Sequence, residues 1–314
     1  MKTLIINAGE VRRLLPMAAC IDQMAMALQA ASEDEAINPL RNVMWLPERT
    51  GLLGMMPSAL PAQSVMGIKI ISVMPGNHGT AYDSHQGTVL VFETENGRLL
   101  AMIDASEITA IRTAAVSGVA TRLLANDAAG DLAILGSGIQ AQAHLEAMRT
   151  VRPLRRIRIW SRNPDHARIF AERESKTSEV VVEDIPSAQD AVHNADIICT
   201  TTASPEPILF GEWIGDGTHI NAVGSSTAGA RELDDVAVVN ASLYVDRCES
   251  TVNEAGDFLF PQEAGLINAS HIRAELGEVL SGSAKGRSSR HEITLFKSLG
   301  LGVEDLAAAN YVYR

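Results

Sequence analysis

The spacing of apolar residues divides the chain into two regions that predict different kinds of structure. In the first region, residues 17–34 place apolar side chains at helical spacing, which predicts an amphipathic helix. Short apolar runs separated by turn residues follow at 51–56, 65–71 and 88–92. Asn96-Gly97 separates the last of these runs from another one, which is a typical β-hairpin pattern. The first region is therefore predicted to be a β-rich α+β unit.

After residue 130 the pattern changes to apolar runs that alternate with helical segments. The runs predicted to be strands lie at 131–135, 156–160, 179–182, 196–200, 217–223 and 241–246. Helices are predicted to begin at about Ile139, Pro164 and Ser187. Strand–helix alternation at this spacing predicts an α/β fold, a doubly wound parallel sheet of the Rossmann type with helices on both faces.

Composition excludes several classes of protein. The 314 residues are 46% hydrophobic and 20% charged, as in an ordinary soluble chain, and no apolar run reaches the roughly 18 residues of a membrane span. The formal net charge of −12 argues against nucleic acid as a partner, because phosphate binding needs a basic surface.

The N-terminus and the cysteines favour a cytoplasmic protein. The apolar start, residues 1–6, soon meets Glu10 and Arg12, so it resembles a first strand more than a signal peptide. The three cysteines, Cys20, Cys199 and Cys248, lie far apart and predict buried, reduced thiols, with neither a disulfide framework nor a metal site.

A glycine motif stands between the first strand and the first helix of the second region. Residues 136–141 read Gly-Ser-Gly-Ile-Gln-Ala, the G-x-G-x-x-A pattern. Gly136 allows the tight turn, and Gly138 lets the backbone approach a pyrophosphate at the helix N-terminus. Because the strand, the helix and further βα units are all in place, the motif predicts a dinucleotide site that includes Ser137, Ile139 and Gln140.

The end of the second strand indicates which dinucleotide is bound. An NAD site usually places Asp or Glu there to bind the ribose 2′-hydroxyl. Here the chain reads Ser161-Arg162-Asn163, in which two side chains offer hydrogen bonds and Arg162 offers a cation for a 2′-phosphate. NADP(H) is therefore the preferred prediction, with NAD(H) possible.

Six longer runs stand out, at 84–90, 108–117, 206–213, 219–224, 274–279 and 296–300. They resemble the ornithine cyclodeaminase/mu-crystallin family, and the resemblance extends from about residue 40 to the C-terminus. Within the family, the sequence of these runs is most similar to that of the mu-crystallin-like ketimine reductases. The resemblance implies a homodimer in which residues 1–112 and 292–314 form the substrate-binding and dimerisation domain, and residues 113–291 form the Rossmann domain.

The resemblance also implies roles for individual residues. Arg41, Lys69 and Arg112 match the family's substrate-binding positions, and Lys69 and Arg112 are the predicted catalytic residues. Glu254 matches a ligand-contacting glutamate. The predicted cofactor contacts beyond the glycine motif and the second strand are Ser84, His85, Arg112, Thr113, Thr200, Val223, Ser225 and Ser298.

One departure from the family pattern bears on the reaction. Cyclodeaminases carry an aspartate in a Gly-x-Asp-x-Pro-Gly run, whereas residues 224–229 read Gly-Ser-Ser-Thr-Ala-Gly. Ser226 occupies the place of the acid, and a serine cannot serve as a carboxylate base near neutral pH. The departure favours a reductase over a deaminase, because hydride delivery to a C=N bond does not need that base.

The predicted reaction is reduction of a small cyclic ketimine carboxylate, Δ1-pyrroline-2-carboxylate or Δ1-piperideine-2-carboxylate, to the cyclic amino acid. Three alternatives stay open. The chain could be an ornithine cyclodeaminase-type lyase, a related dehydrogenase of alanine or arginine, or a binding protein for NADPH and a small ligand without catalysis.

Overall fold

The computed structural model describes residues 2–77 and 80–314 and divides the chain into two units. Unit 1 comprises Met1–Arg112 and Gly300–Arg314, and unit 2 comprises Thr113–Leu299. Residues 292–299 therefore lie in unit 2, not in the first domain as the sequence analysis expected. The reason is that Thr294–Lys297 forms a strand between two strands of the parallel sheet.

Unit 1 is built on one six-stranded sheet. Its strands are β1 (Leu4–Ile6), β2 (Asn42–Trp45), β3 (Leu52–Leu60), β4 (Val65–Val73), β5 (His85–Glu93) and β6 (Leu99–Asp104). They lie in the order β1-β6-β5-β4-β3-β2, antiparallel except for β1 against β6. The predicted hairpin is confirmed, since β5 and β6 pair across Asn96-Gly97 and Gly97 has a positive φ of 72°.

The helices of unit 1 are α1 (Ala8–Leu14), α2 (Met17–Ser32), the start of α3 (Ala105–Leu124) and the last helix, α11 (Gly302–Tyr313). The helix predicted at 17–34 is thus confirmed as α2, and it buries Ile21, Met24 and Leu28. No single helix in the described residues is long and apolar enough to cross a membrane; α1 and α2 together reach that length and composition but are bent by 86°.

Helix α11 packs against α2 and against one face of the sheet. Gly67 in β4 permits this approach, because an added Cβ would lie 2.8 Å from Leu306 Cδ1 and 2.4 Å from the Leu90 carbonyl oxygen. Side chains alternate across a strand, so Lys69 lies on the same face as Gly67. The sheet thereby presents Lys69 to the first turn of α11.

Unit 2 contains an eight-stranded parallel sheet. Its strands are β7 (Asp131–Leu135), β8 (Arg156–Trp160), β9 (Val182–Asp184), β10 (Ile197–Thr200), β11 (His219–Ala222), β12 (Ser242–Val245), β13 (Ile272–Glu275) and β14 (Thr294–Lys297). Its helices after α3 are α4 (Ile139–Val151), α5 (Pro164–Ser175), α6 (Ala188–Val192), α7 (Asp235–Asn240), α8 (Cys248–Glu254), α9 (Gly256–Glu263) and α10 (Leu276–Ser281).

The strand order β13-β12-β14-β11-β10-β7-β8-β9 confirms the predicted doubly wound sheet. The chain runs outward from β7 through β8 to β9 and then returns to β10 on the other side of β7. Ligands of such sheets bind at the carboxyl ends of the strands where this reversal occurs. The strands contribute to an apolar, fully buried core, which includes Ala133, Leu135, Ile198, Ile220 and Leu243.

Three strands of this sheet differ from the prediction. The strand expected at 179–182 is the short β9 at Val182–Asp184, and β13 and β14 were not predicted.

Candidate functional site

A buried ion pair in unit 1 joins Lys69 of β4 to Asp305 of α11. Lys69 Nζ lies 2.7 Å from Asp305 Oδ2, and the two side chains are 3% and 0% exposed. The same ammonium group is 3.4 Å from the hydroxyl oxygen of Thr109 in α3, to which it donates. A lysine so deeply buried needs an anionic partner, and Asp305 supplies one.

Asp305 also holds a second cation with its other oxygen. Arg112 Nε donates to Asp305 Oδ1 at 2.8 Å, and Arg112 Nη1 donates to Glu304 Oε2 at 2.9 Å. Both carboxylates are fully buried. Lys69, Arg112, Glu304 and Asp305 therefore form one buried ionic cluster.

Burial lowers the pKa of Lys69 from 10.5 to about 8. The negative charge of Asp305 opposes this shift, while the positive charges of Arg112 and Arg41 add to it. An ammonium group with a pKa near 8 is protonated at neutral pH and can still give up its proton, as a general acid must.

Arg41 lies beside this cluster and is half-buried. Its Nη2 donates to the carbonyl oxygen of Gly300 at 3.3 Å. Gly300 has a φ of +81°, and an added Cβ there would lie 2.4 Å from Arg112 Nη1, so only glycine fits this position. The structure thus brings together the three predicted substrate residues Arg41, Lys69 and Arg112.

Two further predicted residues, Ser84 and His85, lie at the start of β5. The hydroxyl oxygen of Ser84 is 3.0 Å from His85 Nδ1, and Ser106 Oγ donates to the His85 carbonyl oxygen at 2.8 Å. Loss of hydration, and then the positive charge of Lys69, lower the pKa of His85. His85 is therefore predominantly neutral at pH 7 and can accept a hydrogen bond.

Neither acid of the cluster was predicted from the sequence as a site residue. Glu304 and Asp305 stand side by side in the first turn of an otherwise apolar helix, and acids near a helix start are usually explained by the helix dipole. A signal was nevertheless present, because adjacent acids in a helix this apolar need buried cationic partners.

In unit 2 the glycine loop follows β7 as predicted, and its residues fit a dinucleotide pyrophosphate. Gly136 has a φ of +125°, which favours glycine. Gly138 is the N-cap of α4; no described side chain caps this helix end, and an added Cβ on Gly138 would meet no atom within 4 Å. The first turn of α4 contains no acidic residue, so its N–H groups offer an uncontested site for a phosphate.

The predicted ribose-side residues follow β8. Ser161 Oγ accepts a hydrogen bond from Ser137 Oγ at 3.1 Å, which ties this turn to the glycine loop. Asn163 caps α5 by accepting from the Asp165 N–H at 3.0 Å, so its side-chain oxygen serves the helix. Arg162 is exposed, and no carboxylate in the described residues forms an ion pair with it.

The remaining predicted cofactor residues of unit 2 are mostly buried. Thr113, Thr200, Val223, Ser225 and Ser298 are each less than a tenth exposed, whereas Ile139 is 67% exposed. Thr200 donates its hydroxyl proton to Glu232, and Ser225 donates to the Ala230 carbonyl oxygen. Their cofactor contacts stay predictions.

Two further residues of unit 2 bear on the reaction. Glu254 ends α8 and is half-buried, and its role as a ligand contact stays a prediction. Ser226 is half-buried in the turn after β11. Within residues 2–77 and 80–314, no group of three or more His, Cys, Asp or Glu side chains is arranged to hold a metal ion.

Comparison with known proteins identifies the class of this fold and site. The family model for the ornithine cyclodeaminase/mu-crystallin family matches residues 1–314. The chain belongs to this family, which confirms the resemblance seen in the sequence.

Three relatives illustrate the similarity. The ketimine reductase mu-crystallin of Mus musculus is 43% identical over 277 residues, 88% of this chain and 84% of the mouse chain. The structure of Thermococcus litoralis Δ1-pyrroline-2-carboxylate reductase in complex with NADH and L-proline has a TM-score of 0.96 at 36% identity, covering 99% of this chain and 96% of the other. An archaeal alanine dehydrogenase dimer with bound NAD has a TM-score of 0.94 at 30% identity, covering 100% and 95%.

Proposed function

We propose that this protein reduces a small cyclic ketimine carboxylate to the cyclic amino acid with a nicotinamide dinucleotide. The observation that carries the proposal is the buried Lys69–Asp305 pair, which places a proton donor of lowered pKa next to two arginines. Relatives named as a ketimine reductase and a Δ1-pyrroline-2-carboxylate reductase support the same reaction.

The charge of the cluster fits a carboxylate substrate. The three cations Arg41, Lys69 and Arg112 lie together at this cluster, and their positive charges attract a carboxylate substrate. Arg41 is the most exposed of the three cations, and it binds the substrate carboxylate. Arg112 is held by both buried acids, so it contributes its charge and orients Asp305.

Lys69 supplies the proton of the reaction. A bound reduced nicotinamide provides the hydride that reduces the imine carbon. Lys69 Nζ gives its proton to the ring nitrogen, and this makes the imine carbon a better hydride acceptor. Asp305 then stabilises the ammonium when Lys69 regains a proton from solvent.

The protein prefers NADPH over NADH. The turn after β8 has no acid to bind a ribose 2′-hydroxyl, and the exposed guanidinium of Arg162 suits a 2′-phosphate. The two serine hydroxyls of Ser137 and Ser161 offer further hydrogen bonds on the same side.

Ser226 favours reduction over deamination. A cyclodeaminase needs a carboxylate base to activate water, and the hydroxyl of Ser226 cannot act as one near neutral pH. A reductase needs only the hydride and a proton, and Lys69 can provide the proton.

The protein acts as a homodimer. The sheet face opposite α11 is apolar: Ile68 lies between Pro57 of β3 and Leu90 of β5, and Met66 is 38% exposed. A groove of about 430 Å³ runs along this face. Contiguous exposed apolar surface of this kind marks a protein interface, and the archaeal alanine dehydrogenase is described as a dimer.

The test is oxidation of NADPH, followed by its absorbance, with each cyclic ketimine carboxylate in turn. We expect turnover with a ketimine and with NADPH in preference to NADH. Release of ammonia from ornithine with catalytic NAD would show a cyclodeaminase. Tight binding of NADPH without turnover would show a binding protein.

A further inference from the structure

Unit 2 contains a fully buried carboxylate, Glu232, whose contacts reach the ends of two neighbouring strands. Its Oε1 accepts from the backbone N–H of Thr202 at 2.7 Å and from the Thr202 hydroxyl at 2.6 Å. Its Oε2 accepts from the Thr200 hydroxyl at 2.7 Å and from the Gly224 N–H at 2.7 Å. One side chain thus fastens the turn after β10 to the turn after β11.

These two turns lie where the doubly wound sheet binds its ligand. Strand β10 adjoins β7 at the point where the strand order reverses. The turn after β10 also touches the glycine loop, because an added Cβ on Gly136 would lie 2.8 Å from the carbonyl oxygen of Thr201. Thr201 therefore packs directly against the first glycine of the phosphate-binding loop.

The two turns pack so closely at Gly224 that no side chain fits there. An added Cβ on Gly224 would lie 2.1 Å from the Thr202 carbonyl oxygen and 2.5 Å from Glu232 Oε1. Glycine is required there so that the carboxylate can reach both turns at once.

Two more buried charges hold Glu232 itself. Asp257 accepts from the backbone N–H groups of Glu232 and Leu233 at 2.8 and 3.0 Å. Its other oxygen lies 2.9 Å from Lys297 Nζ at the end of β14, and Lys297 donates to the Ser225 carbonyl oxygen. The chain of contacts thus connects the ends of β10, β11 and β14.

We propose that Glu232 is a positioning residue for the dinucleotide: it holds the turns after β10 and β11 in the arrangement that the nucleotide binds. The inference rests on the proposed dinucleotide binding by unit 2. Asp257 and Lys297 assist by fixing the backbone of Glu232 and of Ser225.

The sharpest test is Glu232→Gln. In the wild-type protein each carboxylate oxygen accepts from a main-chain N–H, one from Thr202 and the other from Gly224. Glutamine replaces one of these oxygens with an NH2 group, so the NH2 group must face a main-chain N–H in one of the two turns, and that hydrogen bond is lost. We expect the Kd for NADPH to rise about tenfold, since losing one hydrogen bond to a charged group suffices for that. We also expect faster amide hydrogen exchange at Thr202 and Gly224 in the protein without nucleotide.

The matched control is Glu174→Gln. Glu174 is a buried carboxylate of the same unit, lying in α5, and it accepts from Arg173 Nε at 2.9 Å. This variant should lose thermal stability yet keep the wild-type Kd. If Glu232→Gln does not fold, Thr202→Val serves instead. It removes the hydroxyl that donates to Oε1 and that accepts from the Ser204 N–H at 3.2 Å, and we expect it to raise the Kd about threefold.

The outcomes separate the two proposals. Failure of the wild-type protein to bind NADPH or NADH would overturn the proposed function. Wild-type binding with an unchanged Kd in Glu232→Gln, or in Thr202→Val where the first variant does not fold, would overturn the positioning role alone. A Kd that rises equally in Glu174→Gln would also overturn it, because the effect would then follow stability.

Discussion

Asp305 and Lys69 form a fully buried ion pair in which Asp305 Oδ2 lies 2.7 Å from Lys69 Nζ. The other oxygen of Asp305 binds Arg112, so a single carboxylate sets the position of both predicted catalytic residues. Burial lowers the pKa of Lys69, and the negative charge of Asp305 opposes this shift. The pair keeps a protonated amine available inside an apolar unit.

The first prediction concerns the pH dependence of the wild-type enzyme. In the proposed mechanism Lys69 must be protonated to act, and its pKa is lowered to about 8, so kcat should fall as the pH rises through about 8. The measurement is kcat for ketimine reduction between pH 6 and 10. The control is Lys69→Arg, which stays protonated and should lack this alkaline limb, at a lower rate. A kcat that does not change over this range would exclude Lys69 as the proton donor.

The second prediction concerns Asp305→Asn. The charge and the hydrogen bond of Asp305 raise the pKa of Lys69, so their removal should move the alkaline limb of the profile to lower pH. Removing one partner of a buried pair should also cost about 3–5 kcal/mol of unfolding free energy.

Glu304→Gln is the matched control for this prediction. It removes a neighbouring buried carboxylate that binds Arg112 and leaves the Lys69–Asp305 pair in place. The control should lose stability without moving the limb. An equal displacement in both variants would contradict the role assigned to Asp305.

The nucleotide-binding turns of unit 2 were predicted from the sequence, whereas the buried acids of both units were not. The glycine loop at Gly136–Gly138 and the turn at Ser161–Asn163 are local features, fixed by a strand, a turn and a helix that follow one another in the chain. Local patterns of this kind can be read from sequence, and both lie where they were expected.

The buried acids could not be predicted in this way. Asp305 meets Lys69, and Glu232 meets Thr200, only after the sheets have formed, and periodicity contains no information about such distant pairs. The position of β14 was missed for a related reason: a parallel strand receives its place from its neighbours, and here it lies between β11 and β12. Lys69 and Arg112 themselves were identified by family resemblance, since an isolated strand lysine is normally exposed.

The third prediction concerns nucleotide preference. Arg162→Ala should raise the Kd for NADPH about tenfold and leave the Kd for NADH nearly unchanged, because only NADPH has the 2′-phosphate. Titration of nucleotide fluorescence measures both constants. Arg168→Ala is the control, since Arg168 is an exposed arginine in α5 that pairs with Asp165 and Glu172. Equal weakening of both nucleotides by Arg162→Ala would rule out the assignment.

The fourth prediction concerns assembly. Ile68→Glu places a charge in the middle of the apolar sheet face, so we expect the wild-type protein to be a dimer and the variant to be monomeric. Light scattering after size exclusion gives the mass of each. Leu14→Glu, at a 49% exposed apolar side chain of α1, should remain dimeric. A dimer that persists in Ile68→Glu would place the interface elsewhere.

The central claim is tested most directly by following the hydride. NADPH carrying deuterium at both hydrogen positions of nicotinamide C4 is incubated with a cyclic ketimine carboxylate, and the product is examined by mass spectrometry and NMR. We predict a cyclic amino acid with one deuterium on the α-carbon, and a rate reduced at least about 100-fold in Lys69→Met, the lower end of the usual general acid contribution. A product without deuterium at that carbon, or an undiminished rate in Lys69→Met, would contradict the account.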